Sequence, residues 1–339
     1  MSRAFDWKFW TGLVISAVFL YLALSRVDLT GLWDIMSSAG PLALSFAVLV
    51  VLLQYPARAL RWGVLLAPLR ATSFRNRLLA TLVGFAANCL LPARLGEFIR
   101  ANYLGASEDV SKSSVFGTVV VERLFDGLTL LAILWAGLLL SEFSPGYGAL
   151  RAGLSAAGLI LLSAYALIIL LLAGFKWKAH ACMRLLDRIL FLLPARLRSR
   201  IIEVAWNFSV GIVLLKGLQS WAWAVLFSLL VWVLGMVQIL AVAMALGLEI
   251  SFSAPLMILA FTSFGVMIPS SPGFIGTFHL AVQYGFLVHG FTPEEGLSAG
   301  ILLHASFFLP TVVAGVIAFL SFHIPWERLA GGPPGSGDG

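Results

Sequence analysis

The stretch LPARLGE at residues 91–97 interrupts one apolar segment of the chain, and IPSSPGF at residues 268–274 interrupts another in the same way. Each stretch has an aliphatic residue, a proline, three further residues and a glycine. The prolines are 269 − 92 = 177 residues apart, and so are the glycines, 273 − 96 = 177. Two broken apolar segments at corresponding positions in the halves of a membrane protein indicate a binding site near the middle of the bilayer.

The composition is that of a membrane protein. Hydrophobic residues make up 60% of the 339 residues and charged residues only 11%, with a mean hydropathy of +0.98, whereas soluble domains carry about 25% charged residues. Six windows are long enough to cross a hydrocarbon core of about 30 Å: 9–25, 42–66, 117–140, 150–174, 221–248 and 296–321. The net charge of +6 favours anionic headgroups over nucleic acid as a partner, because basic residues cluster between the windows.

The basic residues also predict an orientation. They precede the first window and follow the second and fourth, so the positive-inside rule places both termini in the cytoplasm. The first broken segment has one limb of about 14 residues and a shorter return limb, and the limbs of the second have about 15 to 17 residues, all of which are short for a span. We therefore expect the first segment to enter from the cytoplasm and return, and the second to enter from outside. Two thin full spans are the alternative.

Together these patterns predict an all-α polytopic helix bundle with two inverted-topology repeats, each containing a re-entrant broken hairpin. A single transmembrane domain covers 1–322, with repeat one at about 42–140 and repeat two at about 221–321. A span and a basic interfacial segment, 175–218, join the repeats, and 323–339 form a flexible tail. Within the basic segment, 176–200 is expected to lie on anionic headgroups as an amphipathic helix that is broken at Pro194.

The residues at the breaks are candidate site residues. Proline ends a helix and glycine lets the backbone turn sharply beside a ligand, and the hairpin breaks are expected at Pro92, Gly96, Pro269 and Pro272. Gly273 and Gly276 open the returning limb of the second segment at a helix N-terminus, which suits an anion. Ser270 and Ser271 either cap that helix or contact the ligand.

Six charged residues accompany the first break and the next span: Arg94, Glu97, Arg100, Glu122, Arg123 and Asp126. Each would cost about 2.5 to 3.5 kcal/mol if unpaired at the bilayer centre, so they must pair or face water. One interpretation is an ion-pair network that locks the first hairpin against the span, and the other is ligand contact. We favour ligand contact for Arg94, because guanidinium binds phosphate in a bidentate manner, and expect Arg100 to snorkel to the interface.

Four further polar residues lie inside apolar runs. His279 and His304 are either proton carriers or hydrogen-bonded packing residues. Asn88 and Gln238 are expected to form interhelical hydrogen bonds.

Three motifs in order, PARLGE with Arg100, ER-x-x-D at 122–126 and PSSPGFIGTF at 269–278, resemble the membrane region of bacterial lysylphosphatidylglycerol synthases and its stand-alone relatives. This region is the flippase-like half of the multiple peptide resistance factor, and the resemblance extends to about Phe322. It implies an inner-membrane protein that moves a polar-headed lipid between leaflets. The family often has an acid where this chain has His279, which argues against a carboxylate role there. The positions that it makes functional are Pro92, Arg94, Gly96, Glu97, Glu122, Arg123, Asp126, Pro269, Ser271, Pro272, Gly273 and Gly276.

We therefore predict a multi-pass lipid translocator of the bacterial plasma (inner) membrane. The headgroup of an anionic or zwitterionic lipid, a phospholipid or an isoprenoid-linked lipid, enters a cavity between the hairpin tips, where Arg94 and the helix end of the second hairpin bind its phosphate. Glu97, Glu122 and Asp126 balance charge, or bind a cationic headgroup or a proton. The alternative is an accessory subunit that recruits an envelope synthase through 176–200. A less favoured one is an intramembrane enzyme with Ser270 or Ser271 as nucleophile and His279 or His304 as base. No synthase domain is recognised in the chain, so we expect no enzyme activity, catalytic residue, metal or cofactor. A homodimer is left open.

Overall fold

The computed structural model describes residues 3–91, 94–177, 187–190, 197–199, 201–204, 206 and 217–321. These residues are helical with short connections and contain no strand, which confirms the all-α prediction for this part of the chain. The architecture consists of α1 (Arg3–Leu24), α2 (Leu29–Ser37), α3 (Pro41–Leu66), α4 (Phe74–Leu90), α5 (Gly96–Glu108), α6 (Lys112–Leu140), α7 (Gly148–Trp177), α8 (Leu218–Ala245), α9 (Ala254–Met267), α10 (Thr277–Leu287) and α11 (Pro293–Ser321).

Five helices are long and apolar enough to cross a membrane: α3, α6, α8, α11 and the part of α7 at Gly148–Leu170. Each coincides with a predicted window, so the chain is a polytopic helical membrane protein. A sixth candidate span is α1 together with α2, which bend by 87° between them.

Helix α2 has no counterpart among the predicted windows. Asp28 starts it as an N-cap, because its carboxylate accepts hydrogen bonds from the hydroxyl and N–H of Thr30 and from the N–H of Gly31. These hydrogen bonds hold the pKa of Asp28 below its usual value. None of its residues is buried. With only nine residues, the helix is too short for its sequence to be recognised as a span.

Four helices are too short to cross the bilayer on their own. At 1.5 Å per residue, α4, α5, α9 and α10 with 17, 13, 14 and 11 residues are about 26, 20, 21 and 17 Å long, against a core of about 30 Å. They pair as two hairpins, α4 with α5 and α9 with α10. Gly84 lies against Gly96 in the first hairpin and Gly285 against Ile258 in the second.

The packing of α3 to α6 is matched, pair by pair, by the packing of α8 to α11. Neighbours in sequence pack together in both groups, α3 contacts α6 as α8 contacts α11, and α4 contacts α11 as α9 contacts α6. Helices α3 and α8 pack against each other between the two groups. One apolar core lies around Trp62, Leu66 and Leu104 and comes mainly from α3 to α6, and another lies around Ile258 and Phe286 and comes mainly from α8 to α11.

Three predicted features lie outside the described residues. They are the break residue Pro92, most of the basic segment at 176–200 with its predicted break at Pro194, and the tail at 323–339. In the short described pieces of the basic segment, Arg198 forms an ion pair with Asp187.

Candidate functional site

A cluster of charged side chains lies inside the bundle where α3, α5 and α6 meet. Helix α6 supplies Glu122, Arg123 and Asp126, and the i, i+4 spacing puts both acids on one face. Helix α5 supplies Glu97 and Arg100 from its first turns.

Arg61 of α3 lies at the centre of this charged cluster and has no exposed side-chain surface. Its Nη2 is 2.9 Å from Oε1 of Glu122, and its Nη1 is 2.5 Å from Oδ1 of Asp126. The same Nη1 donates to the Ser228 hydroxyl on α8 at 3.2 Å. One arginine therefore ties together α3, α6 and α8.

Arg100 is buried as well, so the expectation that it snorkels to the interface is wrong. Its side chain is 1% exposed, its Nε is 3.0 Å from Oε2 of Glu97, and its Nη2 is 3.1 Å from Oε2 of Glu122. The guanidinium also lies over the Trp62 ring at 4.9 Å. Because two acids and an aromatic face are within reach, the Arg100 guanidinium forms ion pairs inside the bundle and does not extend to the headgroups.

The charged cluster is open at one end. Glu122 has no exposed side-chain surface and Asp126 12%, whereas Glu97 has 15% and Arg123 35%. Arg123 contacts all three acids, at 3.7 Å from Glu97, 3.0 Å from Glu122 and 3.3 Å from Asp126. The predicted ion-pair network is therefore present, and Arg123 is its accessible member.

Arg94 connects the tip of the first hairpin to the second hairpin. Its Nη2 donates a hydrogen bond of 2.7 Å to the carbonyl of Val266, one residue before the last residue of α9. Its backbone has φ = +53°, a left-handed conformation that costs a non-glycine residue about 1 to 2 kcal/mol. The fold thus holds this guanidinium in place at some cost, between the two hairpins.

Arg58 and Arg61 are site residues that the sequence patterns did not single out. Arg58 precedes Arg61 by three residues, about one turn, on α3, and its Cζ lies 4.8 Å from the centre of the Phe85 ring. It forms no hydrogen bond or ion pair with any residue that the structure describes. The sequence does contain a feature that indicates both residues: they are two arginines, three residues apart, inside the apolar window at 42–66.

Polar side chains satisfy the backbone groups that the helix breaks leave free. Asn88 accepts the N–H of Gly96 at 2.9 Å, and Ser16 of α1 accepts the N–H of Ser271 at 2.9 Å. His279 Nδ1 accepts the N–H of Gly276 at 3.3 Å. Buried backbone groups need such partners because lipid offers none, so these side chains hold the tips.

Hydroxyl groups of α1 and α10 contact the second hairpin tip. Ser16 donates its hydroxyl hydrogen to Ser271 at 2.7 Å, and Thr277 donates to Ser270 at 3.3 Å. Ser271 makes no side-chain capping bond to the short 3₁₀ turn at Pro272–Phe274. Gly276, at φ = +87°, is the N-cap of α10, so the capping role proposed for the serines is not observed.

The two histidines lie together at this tip. Their ring centres are 4.9 Å apart, and Nε2 of His304 is 2.7 Å from the carbonyl oxygen of Gly273. His304 also stacks on Phe308. These contacts match the packing interpretation of both residues. The interhelical role predicted for Gln238 is confirmed, since it donates to Ser306 at 3.0 Å and joins α8 to α11.

A cavity of about 420 Å³ lies elsewhere, at the far end of α6. It is lined by Leu140, Glu142, Glu249, Ser251, Ser253, His289 and Phe291. Leu140 is 18 residues beyond Glu122, about 27 Å along the helix, so this cavity is separate from the charged cluster.

The chain matches the family described as lysylphosphatidylglycerol synthase TM region over residues 9–315. It is similar to Glycosyltransferase AglD of Haloferax volcanii, with 24% identity over 92% of this chain and 54% of that protein. It is also similar to a UPF0104 membrane protein of Methanocaldococcus jannaschii, with 29% identity over 34% of this chain and 35% of that protein. The aligned regions thus span about half and about a third of these relatives.

These relatives correct one expectation. We predicted no enzyme, but a protein named as a glycosyltransferase aligns with 92% of the chain. The prediction of no enzyme activity is therefore wrong as a statement about this family, which is associated with enzymes.

Proposed function

The chain belongs to the family of the lysylphosphatidylglycerol synthase TM region, and from this membership we propose that it moves a polar-headed lipid between the leaflets of the plasma (inner) membrane. The lipid tails stay in the bilayer while the headgroup reaches the charged cluster. The observation that carries the proposal is the position of Arg94. It lies beside the accessible end of the charged cluster and bonds to the second hairpin at Val266.

The acids of the charged cluster have a defined part in this proposal. Glu122 and Asp126 are held by Arg61, and Glu97 by Arg100. They balance charge and orient the arginines, whereas Arg94 and Arg123 face the lipid headgroup. Guanidinium groups suit this task because they bind phosphate oxygens through two parallel N–H groups.

The matched packing of α3 to α6 and α8 to α11 supports two inverted repeats, at about 42–140 and 221–321. In this proposal both helical hairpins are re-entrant, which agrees with lengths that fall short of the bilayer core. Rocking of one repeat against the other would expose the headgroup site to each side in turn, as in other transporters built from inverted repeats.

The proposed orientation places both termini in the cytoplasm and the charged cluster in the cytoplasmic half of the membrane. Arg61 is then five residues from the cytoplasmic end of α3, and Glu122 is ten residues from that of α6. These separations correspond to depths of about 8 and 15 Å. The lipid would therefore enter from the inner leaflet, whose surface carries anionic headgroups that attract the basic segment at 176–200.

We expect Arg94→Asn to slow lipid exchange between leaflets at least about tenfold, the loss expected for one hydrogen bond to a charged group. Asparagine tolerates the left-handed backbone of Arg94, so the fold is retained while the charge is removed. The measurement uses proteoliposomes with a fluorescent anionic phospholipid that a membrane-impermeant quencher reaches only in the outer leaflet.

Arg75→Gln is the matched control, because Arg75 is an exposed arginine in the first turn of α4. It is expected to exchange lipid at the rate of the unchanged protein. Equal exchange rates for the unchanged protein and Arg94→Asn would contradict the proposed function.

A second candidate function follows from the similarity to a protein named as a glycosyltransferase. In that case the same site would hold the lipid on which a transferase acts. Mass spectrometry of lipids incubated with the protein and a nucleotide sugar separates the two candidates. A new glycolipid that is absent with Arg94→Asn would favour transfer. Lipids of unchanged mass, together with leaflet exchange in the quenching assay, would favour translocation.

A further inference from the structure

We propose that the charged cluster selects a lipid whose headgroup carries a dianionic phosphate, a phosphomonoester or a diphosphate, with Arg58 as a principal contact. The inference rests on the proposed lipid-handling function and narrows its substrate from anionic and zwitterionic lipids to one chemical class. It is supported by the net charge of the cluster and by the ion pairs that its carboxylates already form.

The cluster has more positive than negative charge. Its arginines are Arg58, Arg61, Arg94, Arg100 and Arg123, and its acids are Glu97, Glu122 and Asp126, which gives 5 − 3 = +2. Uncompensated charge is costly within the membrane. Two negative charges from a ligand would neutralise the site, whereas the single charge of a phosphodiester would leave a surplus.

Every carboxylate oxygen of the cluster already has an arginine nitrogen close to it. Both oxygens of Glu97, Glu122 and Asp126 lie within 4 Å of an arginine nitrogen, at separations of 2.5 to 3.7 Å. An ammonium group would therefore compete with an arginine for each of them. The site therefore disfavours amine-bearing and zwitterionic headgroups.

Arg58, like Arg94, forms no ion pair with these acids among the described residues. It interacts with Glu122 and Asp126 through space, and among the described residues it has no hydrogen bond or ion pair but lies over the Phe85 ring. Its side chain is partly exposed, so a ligand can reach it. A guanidinium has five N–H donors in a planar fork, and those of Arg58 have no acceptor in the described part of the chain.

Arg58 and Arg94 both lie near Arg123. The charge of each is affected by that of Arg123, so positive groups from α3, the first tip and α6 repel one another in this part of the bundle. A terminal phosphate offers three charged oxygens to such a group, and a phosphodiester offers two. A ligand that relieves this repulsion with more negative charge is favoured, and that ligand is the terminal phosphate.

The test compares ligands that share one tail. Dodecyl phosphate, its methyl ester and dodecylphosphocholine are titrated below their micellar concentrations onto the full chain in zwitterionic nanodiscs, with inorganic phosphate as a further arm. At pH 7.5 we expect dodecyl phosphate to bind at least about tenfold more tightly than the methyl ester, as for a further charge-assisted contact. The preference should shrink by pH 5, because the second ionisation of a phosphomonoester has a pKa of about 6.

Arg58→Gln is expected to weaken dodecyl phosphate binding about tenfold and to abolish most of the preference over the methyl ester. Arg58→Lys should retain part of the preference, and Arg75→Gln all of it. The thermal unfolding midpoint is measured for each variant, and the comparison of ligands on the unchanged protein needs no variant at all.

The outcomes separate this inference from the proposed function. Equal affinity of the unchanged protein for dodecyl phosphate and its methyl ester would overturn the dianion assignment, while the leaflet-exchange assay with Arg94→Asn would still test translocation. Inorganic phosphate binding as tightly as dodecyl phosphate would overturn the lipid part and indicate a free-anion site. A full preference in Arg58→Gln would overturn the role of Arg58.

Discussion

Replacing Arg61 by methionine is expected to lower the free energy of unfolding by about 3 to 5 kcal/mol, the cost of removing one partner from a buried ion pair. Methionine fills much of the same volume, so the loss is mainly electrostatic. Glu122 keeps Arg100 and Arg123, but Asp126 keeps only Arg123 among its described ion-pair partners. Unfolding by heat and by denaturing detergent, followed by the fluorescence of the eleven tryptophans, measures the change.

The cause can be separated from a packing defect by a second substitution. Arg61→Met with Asp126→Leu removes both charges, and it should be more stable than Arg61→Met alone, because no buried carboxylate then lacks its partner. Arg75→Met, on the exposed start of α4, should change stability by no more than about 0.5 kcal/mol. Arg61→Met within that margin would show that the ion pairs do not stabilise the fold.

The acids of the charged cluster could be predicted from the sequence, but the arrangement of their partners could not. Glu122 and Asp126 stand out because charges inside an apolar helix are costly. The central partner, Arg61, lies 61 residues from Glu122. The sequence pattern does not reveal which arginine pairs with which acid, because helix packing decides this. Arg100 was misjudged for the same reason.

The ends of α4 and α9 close to the two predicted breaks were predictable because proline and glycine act locally on the backbone. The side chains that bind the backbone at these breaks could be predicted only in part. Asn88 is eight residues from Gly96, within the same hairpin, but Ser16 is 255 residues from Ser271. A serine in the first apolar window has no local feature that links it to the second break, so the packing of α1 against that tip emerges only in the fold.

Gly96→Ala is expected to destabilise the protein by about 2 to 4 kcal/mol, from overpacking and the loss of a hydrogen bond. A Cβ at this position would overlap the carbonyl oxygen of Gly84 and lie 2.6 Å from Oδ1 of Asn88. The first obstacle is backbone and cannot rotate away. The second is the group that accepts the N–H of Gly96, so the same methyl group would also disturb the hairpin tip beside Arg94.

Gly153→Ala is expected to change the stability of the same chain in the opposite direction. Gly153 lies in α7, and a methyl group added to it would meet no described atom within 4 Å, so alanine should stabilise the helix there by about 0.5 to 1 kcal/mol. Thermal unfolding of both variants in one detergent compares the two effects directly. Because helix propensity alone favours alanine at both sites, a stabilising Gly96→Ala would mean that α4 and α5 do not approach as closely as the fold requires. The tip would then lack the rigid hairpin that holds Arg94 beside Val266.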